Sequence, residues 1–319
     1  MIETRGLRKS FRSREGRQKK TVDAVRGVDL KVTEGEIFGF LGPNGAGKTT
    51  TLRMLATLIE PDGGEATVAG VDLRKDPAEV RRRIGYVAQG GSTWDESTAR
   101  EELVLHARMY GIGKADAHRR AARALDAFQL TEYADRKCKT YSGGQRRRVE
   151  IALGIIHEPS IVFLDEPTTG LDPQSRAHMW DEIRRLRGDG MTVFITTHYL
   201  EEADALCDRI AIMDHGEVVA EGTPTELKRE ISGDVVLVGL DAAATPQAAQ
   251  LLDGEPYVNK LETAEEGGLR LYVDEGATAI PQILRRVDTA GLGLRSIELH
   301  RPSLDDVFLT KTGRSLRES

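Results

Sequence analysis

Four short stretches bring together residue types whose spacing could do chemistry. In the first, GPNGAGKT (42–49) follows the apolar run FGFL and opens a helical pattern. This is G-x-x-x-x-G-K-[ST] in the strand–loop–helix setting that the motif needs. Gly42, Gly45 and Gly47 permit a tight loop whose N–H groups converge on phosphate oxygens. Lys48 is placed for the β- and γ-phosphates of a nucleotide and Thr49 for Mg²⁺, with the helix N-terminus adding positive charge. The second, SIVFLDE (160–166), is an apolar strand that ends in two carboxylates. Neighbouring strand positions face opposite sides, so the two acids divide the work. Asp165 suits a Mg²⁺ position, held directly or through water, and Glu166 suits polarising an attacking water. The third, TVFITTH (192–198), delivers His198 at a strand's carboxyl end, where open α/β sheets place ligand-contacting groups.

The fourth stretch, TYSGGQRRRVEIA (140–152), reads as the start of a helix. Ser142 caps it, and Gln145 completes an S-x-x-Q capping box. Val149, Ala152, Leu153 and Ile156 recur at the spacing of a buried stripe. The N–H groups of Gly143 and Gly144, with the Ser142 hydroxyl, make a second anion site. Three arginines follow, each opposing the helix macrodipole at a cost of roughly 0.3–1 kcal/mol. At about 100° per residue, Arg147 points away from the stripe and is expected at an exposed joining surface. Arg146 and Arg148 flank the stripe, where solvation and pairing with nearby acids would account for them.

These motifs need a scaffold, and residues 1–228 supply alternating short apolar runs and helical patterns, as in an α/β domain with a largely parallel sheet. Ile37–Leu41, Ile161–Leu164, Thr192–Thr196 and Arg209–Asp214 read as strands, and Ala117–Phe128 and Ser175–Leu186 as helices. RSREGRQKK (12–20) reads as a solvated basic loop. The pattern changes at Ser232-Gly233. Strands at 235–240, 257–263, 268–273 and 294–300 alternate with helices at 245–254 and 279–290, which gives βαββαβ. That order predicts a small ferredoxin-like domain across 232–313, with a last short helix at 303–310. It carries no catalytic constellation and reads as an accessory or regulatory module.

A chain of 319 residues suits two domains, and 39% hydrophobic with 30% charged residues allows a normal core and a soluble surface. The net charge of −6 gives no reason to expect a nucleic-acid partner. Cys138 and Cys207 read as two free thiols in a reducing compartment. No apolar run approaches the ~18 residues that cross a bilayer, and MIETRGLRKSFRSREG lacks the apolar stretch of a signal peptide. Any membrane role is therefore expected to come through a partner.

Taken in order, the Walker A loop GPNGAGKT, YVAQG with Gln89, YSGGQ (141–145), VFLDE, GLD (170–172) and TTH (196–198) resemble the ATP-binding-cassette (ABC) ATPases over residues 1–228. The resemblance implies a P-loop NTPase core with an inserted helical subdomain at about 90–158. It implies ATP hydrolysis with Mg²⁺, in a homodimer that sandwiches two nucleotides. Gly42, Pro43, Asn44, Gly45, Ala46, Gly47, Lys48, Thr49 and Thr50 would then surround the phosphates of one ATP. Ser142, Gly143, Gly144 and Gln145 would grip the γ-phosphate of the ATP bound to the other subunit. Thr49, Gln89 and Asp165 would serve Mg²⁺; Glu166, His198, Lys48 and Gln89 would serve hydrolysis. Asp172 would lie in a loop that crosses the dimer, and Phe11 would stack on adenine.

Narrower stretches, PDGGEATVAG (61–70), KTYSGGQRRRVEIA (139–152), LDEPTTGLDP (164–173), the run 196–228 and SLDDVFLTKTG (303–313), resemble the daunorubicin-resistance-type ATP-binding subunits of drug exporters. They imply efflux of drugs or other hydrophobic small molecules through a separate integral-membrane permease, with this chain on the cytoplasmic face. A soluble ABC ATPase acting on nucleic acid or ribosomes is the competing expectation. Such proteins generally carry two cassettes or a long coiled coil, whereas here there is one phosphate loop and no sustained heptad run between Lys48 and Ser142. A P-loop kinase or GTPase would leave the signature unexplained, and no guanine-reading N-K-x-D is present.

Overall fold

The computed structural model describes residues 1–15, 18–231, 233–241, 243–263 and 268–313. Its strands begin with β1 (Ile2–Glu15), β2 (Gln18–Val32), β3 (Ile37–Leu41), β4 (Gly63–Val68), β5 (Val71–Asp72) and β6 (Ile84–Val87). They continue with β7 (Ile161–Asp165), β8 (Thr192–Thr197), β9 (Arg209–Asp214) and β10 (Glu217–Gly222). The last four are β11 (Asp234–Leu240), β12 (Lys260–Thr263), β13 (Leu269–Val273) and β14 (Leu294–His300). The helices are α1 (Lys48–Leu55), α2 (Pro77–Arg83), α3 (Ala99–Met109), α4 (Lys114–Ala127), α5 (Gly143–Ile155) and α6 (Pro173–Gly188). They end with α7 (Leu200–Leu206), α8 (Pro224–Ile231), α9 (Thr245–Leu252), α10 (Gly276–Thr289) and α11 (Leu304–Thr312).

The chain divides into two compact units between Thr223 and Pro224. In the first, a six-stranded sheet runs β10-β9-β3-β8-β7-β6, parallel except for the β10 edge. A parallel sheet covered on both faces needs continuous apolar strands rather than alternating ones. IFGFL in β3 and IVFLD in β7 are accordingly buried at every position, as is TVFITT in β8. An antiparallel sheet, β2-β1-β4-β5, contributes Ile2, Leu7, Val25, Val28 and Val68 to the same core as Phe38, Phe40 and Phe163. Phe194 sits at its centre, with ring centroids 5.5, 5.7 and 5.6 Å from Phe38, Phe40 and Phe163. Each such pair adds roughly 0.5–1.5 kcal/mol beyond area burial.

RSREGRQKK is not the expected loop. β1 and β2 run through it as an antiparallel hairpin, with Arg12 opposite Thr21 and Glu15 opposite Gln18; Gly16 and Arg17 lie outside the described residues. The basic composition concealed the strands, because ladder hydrogen bonds are made by the backbone and leave no mark on composition. Between β6 and β7, the helices α3, α4 and α5 form the inserted helical segment.

In the second unit the sheet order β12-β13-β11-β14 is fully antiparallel, which is the ferredoxin-like arrangement. α9 and α10 pack on it through Ala248, Leu252, Ile283 and Val287 against Val236, Val238 and Leu271. α8 belongs with this unit rather than with the first, to which the sequence reading assigned residues up to 228. Leu227 is buried, and Glu230 pairs with Lys311 of α11 at 3.2 Å. Among the described residues no helix is long and apolar enough to cross a membrane.

The Phe194 cluster generates a stability prediction. Phe194→Ala should destabilise the first unit by about 3–5 kcal/mol, the usual range for a buried phenylalanine. Urea unfolding should show its transition moved to clearly lower denaturant; an unmoved midpoint would mean the cluster does not hold the sheet together.

Candidate functional site

Parallel register explains why distant residues meet. Leu41 lies opposite Thr197, Asp165 opposite Thr196, and Val87 opposite Leu164. Four neighbouring strands therefore end at one edge of the sheet. β3 releases the glycine loop there, β8 releases His198, β7 ends in Asp165, and β6 leads to Gln89. This edge is where open α/β sheets bind ligands.

The loop's glycines are dictated by close approach. A Cβ on Gly42 would lie 2.2 Å from the Met213 carbonyl oxygen, and one on Gly47, at φ 109°, 2.3 Å from that of Ala24. Asn44 and Gly45 are exposed at the loop tip, Pro43 and Ala46 are buried, and Thr49 and Thr50 are half-buried at the start of α1. Lys48 folds back into the cradle, its Nζ donating to the carbonyls of Gly42 at 2.7 Å and Pro43 at 3.0 Å. Glu166 Oε1 lies 3.8 Å from that ammonium. Burial pulls the Lys48 pKa down, and the Glu166 and Asp165 carboxylates oppose the shift.

Asp165 is fully buried. Its Oδ1 accepts from Thr49 Oγ1 at 3.0 Å and Thr196 Oγ1 at 2.7 Å, while Oδ2 is buried without a hydrogen-bond partner. An orphaned carboxylate oxygen beside a threonine hydroxyl is an all-oxygen set of the kind that suits Mg²⁺. Glu166 Oε2 accepts from Gln89 Nε2 at 2.7 Å and Thr169 Oγ1 at 3.2 Å. His198 Nδ1 stands 3.3 Å from the same oxygen without forming a hydrogen bond. Gln89 thus meets Glu166 directly, rather than Asp165. The Glu166 backbone is left-handed, at φ 46°, with its N–H donating to Thr196 at both its carbonyl and its hydroxyl oxygen, each 3.1 Å.

The remaining expected residues form a separate, exposed cluster. Ser142 and Gln145 make the capping box, with Gln145 N donating to Ser142 Oγ at 3.2 Å and Ser142 N to Gln145 Oε1 at 3.0 Å. Asp172 caps α6, accepting from Ser175 N at 2.9 Å and Ser175 Oγ at 2.6 Å, and these bonds hold its carboxyl below the usual range. A Cβ on Gly144 would lie 3.1 Å from Ser175 Oγ, so the two helix starts adjoin. A depression of about 240 Å³ opens between them, lined by Ser142, Gly144, Gln145, Ser175 and His178. Phe11 belongs to neither cluster. It is 43% exposed on β1, opposite Val22, with Lys9 Nζ 5.7 Å from its ring.

Arg147 departs from the helical-wheel reading. Arg147, expected outside, is 8% exposed, and its guanidinium donates to the carbonyls of Pro167, Ala88 and Asp165 and to Glu150. The wheel identified one buried stripe correctly, since Val149, Ala152, Leu153 and Ile156 are all buried. It could not show that the opposite face of α5 meets the ends of β6 and β7. Arg146 pairs with Asp95 at 2.7 Å, and Arg148 donates to the Phe128 carbonyl at 3.0 Å. Thr196 and Thr169 were missed altogether; a threonine in or beside a strand carries no sequence signal that separates a ligand-ordering hydroxyl from an ordinary one.

Comparison with known proteins agrees with this geometry. Residues 25–169 match the family described as ABC transporter, and residues 222–312 match the ATP-binding protein DrrA1-3-like, C-terminal domain. The daunorubicin/doxorubicin resistance ATP-binding protein of Streptomyces peucetius is 45% identical, covering 98% of this chain and 92% of that protein. The linearmycin resistance ATP-binding protein of Bacillus subtilis strain 168 is 36% identical, covering 100% of each. A dimeric ATP-binding cassette solved in a post-hydrolysis state with ADP and Pi aligns with a TM-score of 0.63 at 29% identity, covering 70% of this chain and 98% of that one. With the phosphate loop, the paired carboxylates and the capped signature helix on one scaffold, the chain belongs to the ABC transporter family as an ATP-binding and ATP-hydrolysing subunit of the drug-resistance type.

Proposed function

We propose that two copies of this chain close head to tail around two ATP molecules, and that closing and reopening drive export of a hydrophobic small molecule through a separate integral-membrane permease. The observation that carries this reading is the split of the site. Among the described residues, the buried cluster around Lys48, Asp165 and Glu166 presents donors from the glycine loop on one side only. The capped Ser142 turn is exposed and lies apart from that cluster. A second copy supplies what each half lacks, in keeping with the dimeric state of the solved cassette.

In this reading the N–H groups of 42–49 and Lys48 bind the phosphates, Lys48 exchanging its bonds to Gly42 and Pro43 for phosphate oxygens. Thr49, Asp165 and Gln89 would hold Mg²⁺, which would supply electrostatic stabilisation of charge on the phosphoryl oxygens. Glu166 orients and accepts a proton from the attacking water, and His198 contacts the γ-phosphate. Ser142, Gly143, Gly144 and Gln145 of the partner, with Asp172 at the joining surface, complete the enclosure. Phe11 offers an exposed ring for stacking on adenine. ATP favours the closed dimer and its hydrolysis the open one, a two-state element that a permease can follow. The chain would work at the cytoplasmic face of the membrane, through that permease.

Glu166→Gln should abolish turnover yet leave a dimer under saturating ATP–Mg²⁺, read by size-exclusion chromatography with light scattering. A monomer under those conditions would overturn the sandwich. Lys48→Ala should weaken ATP binding about tenfold or more, since one charged phosphate contact is worth at least ~1.4 kcal/mol; unchanged affinity in equilibrium titration would remove Lys48 from its role. Purification from membranes of the native host should recover a polytopic membrane protein with the chain. Recovery with ribosomes or DNA instead would favour the nucleic-acid reading.

A further inference from the structure

Arg147 is not expected to touch the nucleotide, yet three of its hydrogen bonds end on the carbonyls of residues adjacent in sequence to two that are. Nε donates to the Pro167 carbonyl at 2.9 Å and Nη2 to that of Asp165 at 3.1 Å, so the guanidinium grips the chain on both sides of Glu166. Nη1 donates to the carbonyl of Ala88, immediately before Gln89, at 2.7 Å, and to Glu150 Oε2 at 2.8 Å. Gln89 in turn donates to Glu166. The planar fork of arginine can serve several carbonyls at once, which a lysine ammonium on a flexible stem cannot do in the same geometry.

The Glu166 conformation explains why such a grip is needed. A left-handed φ of 46° is unfavourable for a residue with a side chain, and persists only where the surroundings over-determine it. Here the Glu166 N–H is held by Thr196, and the carbonyls before and after Glu166 are held by Arg147. Glu150, 4% exposed, neutralises the buried guanidinium. Arg147 also stands in the first turns of α5, the helix that Ser142 caps.

We propose that Arg147 is a positioning residue for ATP hydrolysis: it holds Glu166 in its left-handed conformation and in contact with Gln89, and it ties that carboxylate to the Ser142 turn of the same chain. This rests on the reading of Glu166 as the group that activates water. It gives one chain's two half-sites a rigid mechanical connection, so that a nucleotide engaged at the Ser142 turn bears on the Glu166 of the chain that grips it.

The test compares full-length Arg147→Met, Arg147→Lys, Arg147→Ala and Glu166→Gln for turnover number and equilibrium ATP–Mg²⁺ affinity. Displacing a catalytic group by about an ångström costs on the order of 100-fold. Arg147→Met should therefore lose about that much turnover while its affinity stays within about threefold of the parent's. Arg147→Lys, which keeps the charge but not the fork, should recover less than about a tenth of the lost turnover. Millimolar methylguanidinium should raise the turnover of Arg147→Ala about fivefold or more without changing affinity. Turnover within about threefold of the parent in Arg147→Met overturns the proposal. So does a joint fall in turnover and affinity that methylguanidinium does not reverse, because that is a general folding defect. If Arg147→Met does not fold, Arg147→Lys decides by the same two measurements. Full turnover in Glu166→Gln would overturn the Glu166 reading itself, and the proposal with it, and so is distinguishable from a failure confined to Arg147.

Discussion

The ammonium of Lys48 must be buried, and the geometry around the phosphate edge answers that constraint. A fully desolvated cation is tolerable only with close hydrogen-bond acceptors and opposing charge. The loop provides two carbonyls, and the strand ends of β7 provide Asp165 and Glu166. The arrangement runs in both directions, since two adjacent buried carboxylates also need a cation. Removing one member of a buried pair typically costs about 3–5 kcal/mol, more than exchanging it for a volume-matched apolar set. A group of this kind contributes little to stability and much to uniqueness of geometry, which is what phosphate chemistry needs.

From that charge balance the surrounding elements follow. Thr196 donates its hydroxyl to Asp165 and accepts from the Glu166 N–H with the same oxygen, so one β8 side chain sets both acids. Its position opposite Asp165 is fixed by the parallel register, and the register is fixed by the Phe194 cluster beneath. Core packing and site geometry are therefore one problem here. A shift of β8 by a single residue would turn Phe194 away from Phe38, Phe40 and Phe163 and Thr196 away from Asp165 together.

The sequence made the glycine loop, the paired acids, His198 and the capped signature helix readable, because each is a local pattern with a local mechanism. The strands of the C-terminal sheet were readable for the same reason, and their β14-β11-β13-β12 order follows from βαββαβ. What escaped was tertiary. The hairpin through RSREGRQKK is set by cross-strand pairing that composition does not reveal. Arg147 was assigned outward from one buried stripe, although α5 is enclosed on the opposite side as well, as Glu150 and Ile151 also show by their burial. Gln89 was expected to serve both Mg²⁺ and hydrolysis, but that its amide donates directly to Glu166 depends on the course of the chain after β6. Helical periodicity locates the most apolar face and says nothing about what covers the others.

The three arginines illustrate how local cost and tertiary gain combine. Near a helix N-terminus each opposes the macrodipole by roughly 0.3–1 kcal/mol. A hydrogen bond from a charged group contributes roughly 1.5–3 kcal/mol, and each arginine makes at least one. The local penalty is outweighed at Arg147, whose bonds to the backbone around Glu166 are buried. The largely exposed Arg146–Asp95 pair, worth about 0–1 kcal/mol, roughly offsets its own penalty, and Arg148 donates to the Phe128 carbonyl. A guanidinium has no acceptor and so cannot cap a helix N-terminus; Ser142 does that, accepting from the Gln145 N–H. Gly143 is exposed and Gly144 half-buried beside it. The cationic helix start and the anion site beside it are thus compatible, one turned into its own subunit and the other toward whatever closes over Ser142.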